Sequence, residues 1–298
     1  MHKSTIIFSV IAALLATVTS VVIWRLIDNS HRDLPQVEGT AIGLGLPERE
    51  PGNAHRHYTA RSVVVWDTAT QRINFEQNAF ERLPVASLTK LMTAMVASDY
   101  GIAWQAPATI ELHEYGIGGQ LLLHPGEEAT MRDLFNASLL GSANNATLAY
   151  VRQLGVDQKE FIRAMNRKAI AIGLEQTYFV DVTGLSKGNI STAYEVARLA
   201  EHAFAHYPEI ATATQQASYT FTLQGSGRSH TIKNTNKLIA ERGEVYSGSK
   251  TGYLDEARYC LVVRGAGDTK NRIAVILGSP GEQEHLLDMQ QLMRMRVW

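Results

Sequence analysis

One cysteine, Cys260, stands in 298 residues. An intramolecular disulfide is therefore impossible, a thiolate zinc site is short of ligands, and the chain must rely on an ordinary packed core. An excess of charge is also missing. With 28 Lys and Arg against 29 Asp and Glu, the formal net charge is −1. No whole-molecule field attracts a polyanion, which excludes a strongly basic nucleic-acid binder. Metal and nucleotide signatures are absent as well. His113-Glu114 has no histidine at position 117, so there is no H-E-x-x-H zinc site, and Ser249 separates Gly248 from Lys250, which breaks a P-loop ending. Nothing in the chain calls for a metal or cofactor, and none is expected. No internal repeat or low-complexity tract stands out. Hydrophobic residues make up 45% and charged residues 19%, a globular composition.

What is present begins with Thr5–Trp24, 20 positions without a charge, bracketed by Lys3 and Arg25. At about 1.5 Å per residue such a helix spans a hydrocarbon core of about 30 Å. The run continues through Val21, Val22, Ile23 and Trp24 with no A-x-A-like cleavage site, which favours an uncleaved anchor over a signal peptide. The stretch from Asn29 to His57 carries Pro35, Pro47 and Pro51 with four glycines and no apolar period, so it reads as a tether. The expected organisation is an anchor or signal over 1–28, a flexible tether over 29–57 and one exported catalytic domain over 58–298.

Within that domain, Ser62–Asp67 and Arg72–Glu76 read as paired strands. Helices are expected over Ser87–Ser98, over Thr130–Leu140 behind a Thr130 cap, from Asp157 to about Ile172, and from a Thr192/Glu195 capping box to about His206. Strands are expected over Ser218–Leu223, Val245–Thr251, Arg258–Arg264 and Arg272–Gly278, with a closing helix over Glu282–Met295. The order predicts an α+β domain: an antiparallel sheet flanked by helices, with a helical insert, preceded by one N-terminal transmembrane helix.

Three short motifs carry chemistry. Ser87-Leu88-Thr89-Lys90 is an S-x-x-K. On a helix, positions i and i+3 share a face, so a neutral Lys90 amine can take the Ser87 proton and make its hydroxyl a nucleophile. Read alone, it is a Ser capping a helix beside an exposed Lys. A second copy, Ser247–Lys250, has a glycine and strand-like surroundings and is set aside. Ser142-Ala143-Asn144 falls at the junction of two helical runs, where polar side chains project into a cleft or merely cap a turn. Lys250-Thr251-Gly252, followed by Tyr253, ends an expected strand. There a Lys–Thr pair can bind a carboxylate and the glycine admits close backbone approach.

The ordered trio S-x-x-K, S-x-N, K-T-G, with its serines and Lys250 spaced by 55 and 108 residues, is a known signature of class A β-lactamases and penicillin-binding proteins. The surrounding words PVASLTKLMTAM, LLGSANNATLAY, FVDVTGLSKGNISTAYEVARLA, NTNKLI and SGSKTGYLDEARYCLVV resemble the low-molecular-mass penicillin-binding proteins, the serine D-alanyl-D-alanine peptidases, from about Ser62 to Gly278. The resemblance implies a β-lactamase/DD-peptidase-like fold and an acyl-enzyme on Ser87. Lys90 is then the general base and Ser142 a proton relay toward the leaving amine. Asn144 holds substrate, Lys250 adds positive potential, Thr251 binds a carboxylate, and Ser87 and Tyr253 N–H groups flanking Gly252 form the oxyanion hole. Lys90 must be largely neutral near pH 8, a condition that Lys250 and the helix N-terminus favour. The implied partners are peptidoglycan stem peptides and inhibitory β-lactams, and the implied location is a bacterial cell envelope, anchored through Thr5–Trp24 with the domain on the periplasmic or extracytoplasmic side.

One departure bears on substrate. Carboxypeptidases of this kind often carry an Arg just after the last strand, where this chain reads Gly278-Ser279-Pro280, and Trp298 leaves no room for their second β-rich domain. Both favour an endopeptidase. Two alternatives use the same serine. A class A β-lactamase needs an E-x-x-L-N segment that is missing between Ser142 and Lys250. A β-lactam sensor acylates and stays acylated.

Overall fold

The computed structural model describes residues 57–295 apart from 117, 125 and 244. Two strands, β1 (Ser62–Asp67) and β2 (Arg72–Gln77), open the domain. A helical stretch follows: α1 (Thr89–Tyr100), α2 (Met131–Leu139), α3 (Asn144–Gln153), α4 (Gln158–Ala171), α5 (Ala193–His206) and α6 (Pro208–Gln215). A small hairpin, β3 (Ser218–Thr222) with β4 (Ser229–Lys233), leads to β5 (Gly248–Leu254), β6 (Arg258–Arg264), β7 (Arg272–Ser279) and the closing α7 (Glu282–Met293). The main sheet is antiparallel, in the order β2-β1-β7-β6-β5.

Period-2 alternation along each strand divides the sheet between two cores. Val64, Trp66, Cys260, Val262, Ile273 and Val275 face the helical layer. Val63, Val65, Leu261, Val263, Ala274 and Ile276 face Leu286, Met289 and Leu292 of α7. Helix α1 has no polar face at all: every residue from Thr89 to Ala97 is buried, including Lys90. A helix surrounded on all sides is held by tertiary packing, and this one carries the central lysine of the site to the middle of the helical layer.

Local chemistry sets the helix starts. Thr130 and Asp133 cap α2 reciprocally, with Asp133 N donating to Thr130 Oγ1 at 3.2 Å and Thr130 N to Asp133 Oδ2 at 2.8 Å. Asp157 accepts from Lys159 N and Glu160 N at the start of α4. At α5 only half of the expected box forms. Glu195 N donates to Thr192 Oγ1 at 3.1 Å, but the Glu195 carboxylate turns away to accept from Gln176 N and Thr177 Oγ1.

Several expectations are corrected. The sequence predicts a membrane-spanning helix, the membrane as a partner and a membrane-anchored location. No helix among the described residues is long and apolar enough to cross a membrane. The longest, α4 and α5, have 14 residues each, or about 21 Å at 1.5 Å per residue, short of a 30 Å core. The segment Thr5–Trp24, on which these expectations rest, lies outside the described residues. Ser87 does not start an α-helix: it lies in a 3-10 turn, Ala86–Leu88, and α1 begins at Thr89. The strand expected at Val245–Thr251 runs from Gly248 to Leu254, because all seven residues pair with β6 across the turn at 255–257. The K-T-G triplet thus sits mid-strand. Of the hairpin β3–β4 and helix α6, the sequence predicts only the first strand. The β4 residues are mostly polar, and α6 is announced only by Pro208 in its first turn.

Candidate active site

Three elements converge on one cleft of about 510 Å³, whose walls include Ser87, Ser142, Asn144, Thr251, Gly252 and Tyr253. The turn Ala86–Leu88 presents Ser87. Its first residue, Ala86, has φ of +47°, a left-handed conformation that costs a non-glycine residue on the order of 1–3 kcal/mol. Ser142, at the α2–α3 junction, is left-handed too, with φ of +57°. Ala86 lies where the chain enters the turn that presents Ser87, and Ser142 where it passes from α2 to α3.

Lys90 lies one helical turn beyond Ser87 and is fully buried. Its Nζ lies 2.9 Å from Ser87 Oγ and donates to Asn144 Oδ1 at 2.6 Å and to the Thr183 carbonyl at 2.6 Å. Lys250 Nζ, likewise buried, donates to Ser142 Oγ at 2.9 Å and to the Thr251 carbonyl at 2.9 Å. All eight residues singled out by the motifs are therefore brought to one place: six line the cleft, and the two lysines stand behind the serines.

The lysines are electrostatically unusual. Lys90 is held well below the ordinary amine range, first by burial and then by the charge of Lys250, with Asp181 opposing. Burial pushes Lys250 down to about 7. Lys250 and a helix N-terminus are the causes that the sequence points to; the largest, burial, has no sequence signature.

Strand β5 supplies the far wall. It is the edge of the sheet, so its outer backbone groups have no partner strand. Opposite partners share a face, so Lys250 and Gly252, paired with Val262 and Cys260, point toward the helical layer. A Cβ on Gly252 would lie 3.1 Å from both Ala86 Cβ and Ser87 N, which shows how closely the strand passes the Ser87 turn. Thr235 and Thr251 hydroxyls meet at 2.5 Å along this wall. Cys260 is buried in β6 and its thiol is pushed up to about 12 by burial, which makes it packing rather than chemistry. Among the described residues no three His, Cys, Asp or Glu gather closely enough to hold a metal ion.

The motifs miss several neighbours. Gly118 and Gly119 form a further wall, with Gly119 O accepting from Asn144 N at 2.7 Å. Thr183 contributes only a carbonyl, and Gly184 lies against Ala86. Asp-Val-Thr-Gly at 181–184 is a turn-forming string that marks the last two as backbone contributors.

Comparison with known proteins decides the family. A family model described as D-alanyl-D-alanine carboxypeptidase matches residues 49–281. The chain belongs to that family. Its relatives include the D-alanyl-D-alanine carboxypeptidase DacF of Bacillus subtilis, 33% identical over 238 residues, covering 76% of this chain and 59% of that protein. A D-alanyl-D-alanine endopeptidase of Pseudomonas aeruginosa is 29% identical, covering 86% of this chain and 83% of that one. Among solved structures, the Streptomyces K15 DD-transpeptidase superposes with a TM-score of 0.74 at 27% identity, over 80% of this chain and 97% of that chain. This member of the carboxypeptidase family thus shares sequence with a D-alanyl-D-alanine carboxypeptidase and an endopeptidase, and architecture with a DD-transpeptidase.

Proposed function

We propose that Ser87 is the acylated nucleophile of a serine D-Ala-D-Ala peptidase and Lys90 its general base. The chain is a penicillin-binding serine DD-peptidase acting on peptidoglycan stem peptides. The observation that carries the residue roles is the hydrogen-bond set of Lys90. A neutral amine has two N–H groups and one lone pair. Asn144 Oδ1 and the Thr183 carbonyl are acceptors and take the two N–H groups, which leaves the lone pair for the Ser87 hydroxyl at 2.9 Å. That is the arrangement of a base about to remove a proton.

The reaction follows from these contacts. Lys90 takes the Ser87 proton as Oγ attacks the carbonyl of the penultimate D-alanine. The developing oxyanion is met by the Ser87 and Tyr253 N–H groups, a contribution on the order of 10²–10³ in rate per donor in other enzymes. The proton that Lys90 has taken passes on through Ser142, backed by Lys250, to the leaving amine. Water then attacks the acyl group, giving a proton to the freed Lys90, which returns it to Ser87 Oγ as the product leaves. In a β-lactam the leaving amine stays tethered to the acyl group, so it cannot diffuse away. A class A β-lactamase would need a glutamate to activate water. Of the acids lining the cleft, Asp255 accepts from the Tyr253 hydroxyl and Glu282 pairs with Lys237, and the Asp181 carboxylate is occupied by four donors.

Cross-links are the favoured bonds. No Lys or Arg is among the residues lining the cleft, Lys250 is committed to Ser142, and Gly278-Ser279-Pro280 offers no guanidinium to a free terminal carboxylate. The test is digestion of purified cross-linked muropeptides, with Ser87→Ala as control. Conversion of dimers to monomers is expected. Loss of a single D-Ala from monomers would show a carboxypeptidase instead, and no change in either would remove the peptidase assignment.

A further inference from the structure

The loop from Val180 to Asn189 belongs to none of the three motifs, yet it closes the pocket around Lys90. Its geometry is set by one carboxylate. Asp181 Oδ1 accepts from Thr183 N at 2.6 Å, Thr183 Oγ1 at 2.8 Å and Gly184 N at 2.6 Å, while Oδ2 accepts from Ser186 N at 2.7 Å. Asn189 clamps the loop to α1. Its Oδ1 accepts from Val180 N and Asp181 N, and its Nδ2 donates to Asp181 O at 3.0 Å and to Thr89 Oγ1 at 2.9 Å. Thr89 is the residue before Lys90. So held, the loop delivers the Thr183 carbonyl to Lys90 Nζ and lays Gly184 against the Ser87 turn, where a Cβ would fall 2.0 Å from Ala86 O and 2.9 Å from Ser87 N.

We propose that Asp181 is a positioning residue for acylation: its carboxylate folds the 180–189 loop so that Thr183 O and Gly184 fix Lys90 and Ser87, and it brings a negative charge to bear on Lys90. This deepens the proposed function and rests on Lys90 being the base. Lys90 Nζ touches Ser87 from its own turn, Asn144 from α3 and Thr183 from the loop, and it feels through space Asp181 from the loop and Lys250 from β5. Only the last two are charged, and they act in opposite directions: Lys250 favours the neutral amine and Asp181 the ammonium. Asp181 thereby opposes the loss of the proton from Lys90 while holding it in place through the Thr183 carbonyl.

An amide cannot substitute. In Asp181→Asn, Oδ1 can keep its three donors, but the new amide N–H₂ faces the Ser186 N–H, donor against donor, and the charge is gone. Thr183→Val removes one hydrogen bond and keeps the charge. The experiment measures the second-order rate of acylation by a fluorescent penicillin against pH for the full chain, both variants and a Ser87→Ala blank, with thermal unfolding of each. In Asp181→Asn the acid limb is expected to move down by about one pH unit, because the ammonium loses its nearby anion. Its plateau is expected to fall about tenfold through misplacement of Lys90. Thr183→Val should lose plateau rate with the limb unmoved. A wild-type limb in Asp181→Asn overturns the proposal whatever the plateau, and so does an equal limb shift in Thr183→Val. Should Asp181→Asn fail to fold, Thr183→Val decides alone: a wild-type plateau overturns the proposal, and a lowered plateau with an unmoved limb supports it. If the wild-type chain is not labelled, or Ser87→Ala is, the proposed function fails instead.

Discussion

On one side of the cleft, Thr251, Gly252 and Tyr253 ride on β5, a seven-residue strand paired one to one with β6. On the other, Ser87, Ser142 and Thr183 stand on irregular backbone: a 3-10 turn entered through left-handed Ala86, a left-handed junction, and a loop tied by Asp181. The strand wall inherits its geometry from a repeating ladder, so an error at one residue is shared along the strand. The loop wall has no repeat to fall back on. Each of its positions is held by a particular hydrogen bond or a particular close contact, and it is this wall that carries both serines and holds Lys90 through the Thr183 carbonyl. Both serines thus stand on irregular backbone, while the two lysines behind them stand on regular elements, Lys90 on α1 and Lys250 on β5.

The two glycines that bring these walls against the Ser87 turn make the comparison quantitative. Gly184→Ala places a Cβ 2.0 Å from Ala86 O at a φ of +88°, where backbone must move. Acylation by a fluorescent penicillin should fall about 100-fold, the effect of a displacement of roughly 1 Å at a reacting group. Gly252→Ala meets the same turn at 3.1 Å, a contact that needs a shift of only a few tenths of an ångström. Its loss in the same assay should be about tenfold. A larger effect for Gly252→Ala would break the distinction between the walls.

Smaller effects separate local from remote ties. Asn189→Ala removes an amide that bridges the loop to Thr89 and leaves buried partners unpaired, so urea unfolding should show a loss of about 2 kcal/mol, with slower acylation. Asp157→Ala deletes the cap of α4, away from the cleft, and should cost about 1 kcal/mol with acylation unchanged.

The same contrast explains what could be read from the sequence. Ser87 and Lys90 are legible because their relation is local, one turn apart, and Ser142 and Lys250 because they stand in short ordered strings. The strands β1, β6 and β7 are legible because apolar residues fill both faces of the central sheet. What escapes is long-range or belongs to the backbone. The Thr183 carbonyl has no side-chain identity, so no residue type announces it. The left-handed turn at Ala86 occurs in a residue that normally avoids it. The burial of Lys90 contradicts the ordinary habit of lysine, and only the all-round packing of α1 produces it. The membrane expectation fell for a different reason: it rests on residues outside those described, and no described helix supplies a span.

The central claim is that Lys90 is a buried, largely neutral base for Ser87, and the pH dependence of acylation in the unmodified chain tests it most directly. Burial and Lys250 lower its affinity for a proton, so the neutral fraction rises with pH through a value well below 10.5 and is then complete. The rate of labelling by a fluorescent penicillin should therefore climb from acid pH, level off well before pH 10, and vanish in Ser87→Ala. A rate that keeps rising in proportion to hydroxide up to pH 10 would contradict it.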